Sequence, residues 1–278
     1  MTVPLIRSDS DWPPAPFEVL RPRHGLVPVV AHIPHDSSLI PWNVREEFVV
    51  DDDELRIELI RLTDWHTDDL FAPLADRGVS RFVNRLSRFV FDPERFLANE
   101  LEPTAAIGQG VVYTRGTGGQ RLREADPELR ARRIEALYRP YHAALDQVVA
   151  DSLHEFGRCT LIDCHSFPSV PLPSELDQTP DRPDVCIGTD AAHTPAELAA
   201  DVERAFSAEG FSTKRDSPFS GTFVPGGSYG QDRSVRSVMI EVRRGLYIDE
   251  ATAERRADYD AVRSAIERAI VASVLPRA

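Results

Sequence analysis

The chain has 278 residues, of which 42% are hydrophobic and 28% charged, and its formal net charge at pH 7 is −13. This balance suits one large soluble domain and argues against nucleic acid as a partner, because phosphate binding requires a basic surface. No segment approaches the roughly 20 apolar residues that span a bilayer, the start resembles no export signal, and the three cysteines suit a reducing compartment, so we expect a cytoplasmic protein without a membrane partner.

Predicted strands alternate with predicted helices along the chain. Residues 1–26 are rich in proline and aperiodic, and we expect them to pack on the core or to precede it. The patterns predict strands at 27–33, 159–163, 184–188 and 237–244, a strand pair or a strand with a turn at 80–92, and helices within 51–76, 126–156 and 194–208.

The alternation predicts the fold class and the place of the site. We expect an α/β protein with a single catalytic domain over residues 1–278, built on a mixed, mostly parallel sheet with helices on both faces. Such sheets place their sites at the carboxyl ends of the strands. Residues 217–232 are rich in glycine and proline and are predicted to form a loop over that site.

Two histidines follow two separate buried strands. His35 stands in VAHIPHDSS and His165 in LIDCHS. In an open α/β sheet both imidazoles project into the crevice at the carboxyl ends of the strands. Catalytic zinc sites take three protein ligands and a water, and imidazole is among the preferred ligands. The pair predicts a metal site; the alternative is that each histidine caps a strand or bonds a carbonyl.

The segment TDWHTDD offers candidates for a third metal ligand. Asp64 and Asp68 are four residues apart and share a helical face, so that one can reach the metal while the other supports a ligand. His66, Asp69 and, elsewhere in the chain, His32 are alternatives. The same acidic run also suits the solvated first turn of a helix, where carboxylates are favoured.

Glu241 lies in the middle of an apolar strand, VMIEVRRG. Burial of an unpaired charge is costly, so this carboxylate is either paired with an arginine such as Arg243 or Arg244, or functional with a raised pKa. A glutamate beside a zinc site can take a proton from water and pass it to a leaving amine. We therefore expect Glu241 to be the general base.

Several arginines are candidates for binding an anionic substrate in this acidic protein. Guanidinium groups bind carboxylates through two parallel hydrogen bonds. Arg85 and Arg88 in NRLSR cannot face the same way along a regular strand, and Arg88 is favoured because it precedes the apolar run FVFD. Arg115 in GVVYTRG and Arg244 are further candidates, and a surface charge is the alternative for each.

A series of segments, taken in order, resembles the motif series of the N-formylglutamate amidohydrolase family. These segments are VAHIPHDSS, TDWHTDDLF, NRLSRFVFDPER, YRPYHAAL, LIDCHSFPS, PDVCIGT and MIEVRRGLYID. Several short motifs in the right order are more specific than any one of them. The resemblance covers roughly residues 27–250 and implies a fold similar to that of zinc carboxypeptidases.

The resemblance implies a metal site with assigned ligands. His35, Asp64 and His165 correspond to the ligands of one Zn²⁺ per chain, and Asp163 corresponds to a supporting residue that orients the site. Asp68 is the nearest competitor of Asp64 and otherwise a second supporting residue. Imidazole and carboxylate also accept other divalent ions.

The reaction implied by the resemblance is zinc-dependent hydrolysis of the amide bond of an N-acylated amino acid, a small anionic substrate. Glu241 corresponds to the general base and acid, and Arg88 to a clamp for the substrate carboxylate. The leading substrate is N-formyl-L-glutamate, which gives formate and glutamate.

Two departures from the family pattern leave the substrate open. GQGVVYTRGTGG stands where the histidine-degradation members have an Asn/Thr-rich segment, and DPERF stands where L-N-R-P is common. The alternatives are a hydrolase of another N-acyl amino acid or small peptide, and a non-catalytic relative that binds a metal or a carboxylate. The sequence makes no prediction of the oligomeric state.

Overall fold

The strands at the centre of the sheet form where β-branched residues are densest. The computed structural model describes residues 15–275 of the chain. β2 is buried along its whole length, as expected for a strand that has helices on both sides. The strands are β1 Phe17–Leu20, β2 Val29–Ile33, β3 Ser80–Asn84, β4 Cys159–Phe167, β5 Val185–Gly188, β6 Thr213–Arg215 and β7 Val235–Arg243.

The seven strands form one mixed sheet in the order β1-β3-β2-β4-β7-β5-β6. β3, β2, β4 and β7 run parallel to one another, whereas β1 is antiparallel to β3 and β5 is antiparallel to β7. The carboxyl ends of β2, β4 and β7 therefore lie at one edge of the sheet. His165 of β4 stands directly beside Glu241 of β7 in this register.

Helices connect the parallel strands and cover the sheet. Asp51 and Glu54 form a reciprocal capping box at the start of α2, and Gly157 ends α5 in the left-handed conformation with φ 68°. A π-helical turn, Ile134–Tyr138, joins α4 to α5. The α-helices are α1 Trp42–Arg45, α2 Asp52–Leu62, α3 Thr67–Leu70, α4 Pro127–Arg133, α5 Arg139–Phe156, α6 Ala196–Ala208 and α7 Tyr259–Ser273.

The core consists of two apolar layers, one on each face of the sheet. Ala31 of β2 packs in the layer that contains residues of α6 and α7. Val30, its neighbour, packs in the layer that contains residues of α2 and α5. Successive side chains of a strand point to opposite faces, so β2 contributes to both layers.

The predicted fold class, α/β with a mixed and mostly parallel sheet, is confirmed. Two short strands were not predicted: β1, which lies within residues 1–26, and β6. Both lie on the edges of the sheet, where fewer apolar residues mark a strand.

The prediction of one catalytic domain over residues 1–278 stays a prediction, and residues 1–14 of the proline-rich segment lie outside the described residues. Within residues 15–275, no helix has the length and apolar character needed to cross a membrane.

Candidate active site

Two imidazole rings face each other at the carboxyl edge of the sheet. His35 lies two residues beyond the end of β2, and His165 lies near the end of β4. Their Nδ1 atoms are 3.3 Å apart, and both side chains are buried. The parallel pairing of β2 with β4 brings these residues together across 130 positions of sequence.

Asp64 completes a group of three donors with the two histidines. Its Oδ2 lies 3.0 Å from His165 Nδ1 and 3.7 Å from His35 Nδ1. The Asp64 backbone N–H donates to the carbonyl of His35, which fixes the segment after α2 against the end of β2. Asp68, the competing candidate, instead pairs with Arg81 and Arg85.

The far side of each imidazole is held by a carboxylate. His35 Nε2 lies 2.9 Å from Asp92 Oδ1, and His165 Nε2 lies 3.1 Å from Asp163 Oδ1. A neutral imidazole that donates Nε2–H to a carboxylate presents an Nδ1 lone pair on its other side. The two Nδ1 atoms and Asp64 Oδ2 face one another and share protons in this structure, and a bound cation would displace those protons and take the Nδ1 lone pairs.

The donor set fits Zn²⁺. Zinc in proteins is tetrahedral with bonds of about 2.0–2.2 Å to nitrogen and oxygen, which separates adjacent donors by roughly 3.3–3.5 Å. The three donor–donor distances at His35, Asp64 and His165 range from 3.0 to 3.7 Å. Two imidazoles and one carboxylate leave a fourth position for water or substrate, as in catalytic zinc sites.

The buried charges of the site perturb one another strongly. Burial raises the pKa of Asp64, but hydrogen bonds from His165 and His35 and the charge of Arg244 outweigh this effect and lower the pKa. Burial likewise opposes ionisation of Asp163, whose pKa is nevertheless held well below its usual range by the charge of His165. These acids are therefore ionised at neutral pH, as metal ligands and their supports require.

Glu241 presents the opposite case. It is almost fully buried, and its Oε2 makes no hydrogen bond to any residue that the structure describes. Burial raises its pKa to about 8, against the opposing charge of His165 and with reinforcement from Asp64. A carboxyl group with a pKa near neutrality, beside a candidate metal ligand, has the properties of a proton-transfer group.

Arg244, which follows β7, is tied to the candidate metal-binding group formed by His35, Asp64 and His165. Its Nη2 donates to Asp64 Oδ1 at 3.0 Å and to the carbonyl of Ser166 at 2.9 Å, and its Nη1 donates to the carbonyl of Arg61. Arg244 therefore holds the carboxylate of Asp64 in place. In this structure it supports a candidate metal ligand and makes no hydrogen bond to Glu241.

Asp92 is the centre of a second bonded group. Its Oδ2 accepts from Arg88 Nη2 and from Tyr113 Oη, both at 2.8 Å, while its Oδ1 holds His35. Arg95 lies beside them, with Nη2 3.1 Å from Tyr113 Oη and Nε 3.4 Å from Asp92 Oδ2. The Nε of Arg95 makes no hydrogen bond to a described residue.

With this geometry in place, comparisons with known proteins decide the family. The sequence model of the N-formylglutamate amidohydrolase family matches residues 27–248 of this chain. The chain belongs to the N-formylglutamate amidohydrolase family. The resemblance predicted from the motif series is thereby confirmed.

Named members of the N-formylglutamate amidohydrolase family resemble this chain over nearly its whole length. The N-formylglutamate deformylase of Pseudomonas aeruginosa is 30% identical over 267 residues, which cover 93% of this chain and 96% of that protein. The N-formylglutamate deformylase of Pseudomonas putida is 27% identical, over 84% of this chain and 86% of that protein. A crystal structure of N-formylglutamate amidohydrolase from Ralstonia eutropha superposes with a TM-score of 0.80 at 24% identity, covering 93% and 98% of the two chains, which shows the shared fold.

Two of the predicted substrate-binding arginines of this family member lie in other surroundings. Arg85 bonds Glu18 Oε2 at 2.6 Å and Asp68 Oδ2 at 2.8 Å. Arg115 donates to the carbonyl of Gly119 in its own turn. The structure thus places Arg88 beside Asp92 and Arg244 beside Asp64, and it pairs Arg85 and Arg115 elsewhere; their part in substrate binding stays a prediction.

Sequence reasoning assigned no role to Asp92, Glu94 or Arg95, and ranked His32 low. Glu94 Oε1 lies 3.2 Å from His165 Nε2, and Asp163 Oδ1 lies 3.0 Å from His32 Nδ1. His32, Glu94 and Asp163 form a second group of donors beside the first, which we interpret as support for His165. The sequence did contain a signal for these residues, the segment DPER at 92–95. Charged residues that directly follow an apolar run, here FVF, lie at the end of a buried segment.

Proposed function

We propose that this chain hydrolyses the amide bond of an N-acylated amino acid and uses one Zn²⁺ held by His35, Asp64 and His165. The leading substrate is N-formyl-L-glutamate, which gives formate and glutamate, because the relatives named above are N-formylglutamate deformylases. One observation carries the proposal: two imidazole Nδ1 atoms 3.3 Å apart face a carboxylate, and each Nε2 is held by an acid.

The residues of the chain divide the chemical work. A bound Zn²⁺ supplies Lewis-acid polarisation of the carbonyl and lowers the pKa of water. Glu241 takes the proton of the attacking water and returns it to the leaving amine, a role supported by its place beside His165 and by its Oε2, which has no hydrogen-bond partner among the described residues. Asp92 and Asp163 keep the rings of His35 and His165 in the orientation that ligation requires.

The substrate carboxylate is assigned to the arginines that surround Asp92. Arg88, the candidate from the sequence, gives both Nε and Nη2 to Asp92 and Nη1 to the carbonyl of Leu62. Arg95 reaches Asp92 only through an ion pair at 3.4 Å, and its side chain is 21% exposed, against 11% for Arg88. We therefore assign direct contact to Arg95 and a supporting role to Arg88.

Metal analysis and a substrate panel test the proposal. The purified protein should contain about one zinc per chain, release formate from N-formyl-L-glutamate, lose activity on dialysis with a chelator and regain it with added Zn²⁺. His165→Ala should abolish both metal binding and hydrolysis. His154→Ala, an exposed histidine on α5, is the matched control and should alter neither.

Each alternative predicts a different result. Turnover of other N-acyl amino acids or small peptides, but not of N-formyl-L-glutamate, would keep the mechanism and replace the leading substrate. A metal-loaded protein that hydrolyses no member of the panel would indicate a non-catalytic relative. Full activity in metal-free protein would overturn the zinc mechanism.

A further inference from the structure

The segment YRPYHAAL, residues 138–145, contributes no residue to the candidate metal-binding group. It begins in the π-helical turn and continues into α5. Its first residue, Tyr138, is half-buried, and the Tyr138 hydroxyl donates to the backbone carbonyl of Arg95 at 2.9 Å. Burial raises the pKa of Tyr138 to about 12, so the hydroxyl stays protonated and remains a donor at neutral pH.

Two further side chains, one from α4 and one from α5, bond the same short part of the chain. Arg130 Nη2 donates to the carbonyl of Leu97 at 2.6 Å, and His142 Nε2 lies 2.8 Å from the carbonyl of Pro93. Together with Tyr138, these side chains hold three alternate carbonyls that directly follow the apolar run FVF. One helical unit thus fixes the backbone of the segment that carries the arginine assigned to the substrate.

The π-helical turn explains how one helical unit provides all three side chains. An α-helix turns by about 100° per residue, so side chains 8 and 12 residues after Arg130 would lie about 80° and 120° away from it around the axis. The π-helical turn, Ile134–Tyr138, accommodates one extra residue. Removal of one step of about 100° leaves Tyr138 and His142 within about 20° of Arg130. The turn therefore places the three side chains on one side of the helix.

The bond at residue 95 matters most for substrate binding. Arg95 is assigned above to direct contact with the substrate carboxylate. Its backbone rotates about two dihedral angles, so the position of its guanidinium depends on what holds its carbonyl. The ring of Pro93 already fixes φ at that residue, so the bond from His142 restricts the chain less. Loss of the Tyr138 hydroxyl should therefore displace Arg95.

The candidate metal-binding group does not depend on the bond from Tyr138. Asp92 holds the ring of His35 and is itself fixed by Arg88 and Tyr113. These contacts remain when the Tyr138 hydroxyl is removed. Substrate binding and metal binding can therefore be separated at this residue.

We propose that Tyr138 is a positioning residue for substrate binding, which sets the place of the Arg95 guanidinium through the Arg95 carbonyl. The inference rests on the amide hydrolysis proposed above and adds a residue that acts on the substrate carboxylate through another. Tyr138→Phe removes the hydroxyl and keeps the ring. KM for N-formyl-L-glutamate should then rise roughly five-fold, the effect of one net hydrogen bond, while kcat and zinc affinity stay close to those of the wild type.

A double-mutant cycle separates positioning from general support of the fold. Arg95→Ala removes the guanidinium that Tyr138 positions, so the addition of Tyr138→Phe to Arg95→Ala should lower kcat/KM no further. If Tyr138 only supported the fold, Tyr138→Phe would lower kcat/KM by the same factor in both backgrounds. Tyr259→Phe is the matched control: it also loses one hydroxyl hydrogen bond, to Asp69, and should leave KM unchanged.

The remaining outcomes separate failure of the inference from failure of the proposed function. With an active wild type, an unchanged KM in Tyr138→Phe or an equal loss of kcat/KM in both backgrounds would overturn the positioning role and leave amide hydrolysis intact. A wild-type KM in Arg95→Ala would also overturn it, because Arg95 would then not contact the substrate. A joint fall in kcat and zinc content in Tyr138→Phe would assign the residue to the fold instead. Absence of hydrolysis by the zinc-loaded wild type would overturn the proposed function and, with it, this inference.

Discussion

The two flanks of the histidine pair differ in how fully their carboxylates are bonded. On the β3 flank, Asp92 accepts from Arg88, Tyr113 and His35. On the β7 flank, Glu241 keeps a buried oxygen without a hydrogen-bond partner among the described residues, and burial raises its pKa to about 8. A fully bonded carboxylate fixes its neighbours, whereas one with a free oxygen can exchange a proton. We therefore propose that the β3 flank positions the site and that the β7 flank carries the proton transfer.

The largest effect is expected on the β7 flank. Glu241→Gln keeps the shape of the side chain but removes its ability to accept a proton, so kcat for the best substrate should fall about 10³-fold. Zinc content, measured by mass spectrometry, and the thermal unfolding temperature should stay close to those of the wild type. Glu155→Gln, an exposed glutamate on α5, serves as the control. If Glu241→Gln retained more than a tenth of the wild-type kcat, the division between the flanks would be wrong.

Replacement of the two arginines on the β3 flank separates substrate contact from support. Arg95→Lys loses a guanidinium that can bind a carboxylate bidentately, so KM should rise about 100-fold while zinc affinity is unchanged. Arg88→Lys should instead weaken zinc binding and lower kcat, because Arg88 holds Asp92 and, through it, His35. Arg132→Lys, on an exposed part of α4, is the control. The reverse pattern would assign direct substrate contact to Arg88.

A smaller effect should follow from the loss of the carboxylate behind His165. Asp163→Asn leaves the ligands in place but weakens the hydrogen bond that fixes the ring of His165. Zinc affinity should fall about 10- to 100-fold, as measured by competition with a chromogenic chelator. Asp181→Asn, at an exposed position, should bind zinc like the wild type. Unchanged affinity in Asp163→Asn would show that other contacts alone orient His165.

We expect replacement of His142 of α5 to have the smallest effect on activity and a measurable effect on stability. Its Nε2 bonds the carbonyl of Pro93, next to Glu94, and burial lowers its pKa from 6.5 to about 4. The unfolded chain therefore takes up a proton at higher pH than the folded chain. The contribution of neutral His142 to the free energy of unfolding is therefore complete above pH 6.5. It decreases as the pH falls towards 4, with about 2 kcal/mol lost by pH 5.

Denaturant unfolding at pH 7.5 and pH 5 measures this contribution. His142→Asn has no group that titrates in this range, so its free energy of unfolding should fall by about 2 kcal/mol less than that of the wild type between the two pH values. Other titrating groups are common to both proteins and cancel in the comparison. Equal decreases in the two proteins would show that His142 is not buried as described.

The centre of the fold was predictable because its sequence signals are local. The runs around Val29–Ile33 and Cys159–Phe167 are apolar because these strands are buried on both faces. His35, His165 and Glu241 were recognisable from their places at the ends or middle of such runs. β1 and β6 are short edge strands with intermediate or exposed residues, so no continuous apolar run marks them.

The supporting residues were harder to predict because their roles depend on contacts between distant segments. Asp92 reaches His35 across 57 positions, and Arg244 reaches Asp64 across 180. No periodicity encodes such contacts. Arg85 was a further candidate for substrate binding, ranked below Arg88, and Glu18 and Asp68 pair with it in the fold. Among charged residues in motifs, tertiary partners decide which are free to bind a ligand.

The distance in sequence between the two facing histidines has a consequence for how the chain folds and survives. The parallel pairing of β2 with β4 closes a long connection between the two strands, and closing it is entropically costly and slow. The donors of His35, Asp64 and His165 therefore come together only once the middle of the sheet has assembled. A cation that binds only the assembled state stabilises it by mass action, by about 2.7 kcal/mol when its free concentration is 100 times the dissociation constant. The supply of metal would then set the lifetime of the chain against proteolysis as well as its rate of turnover.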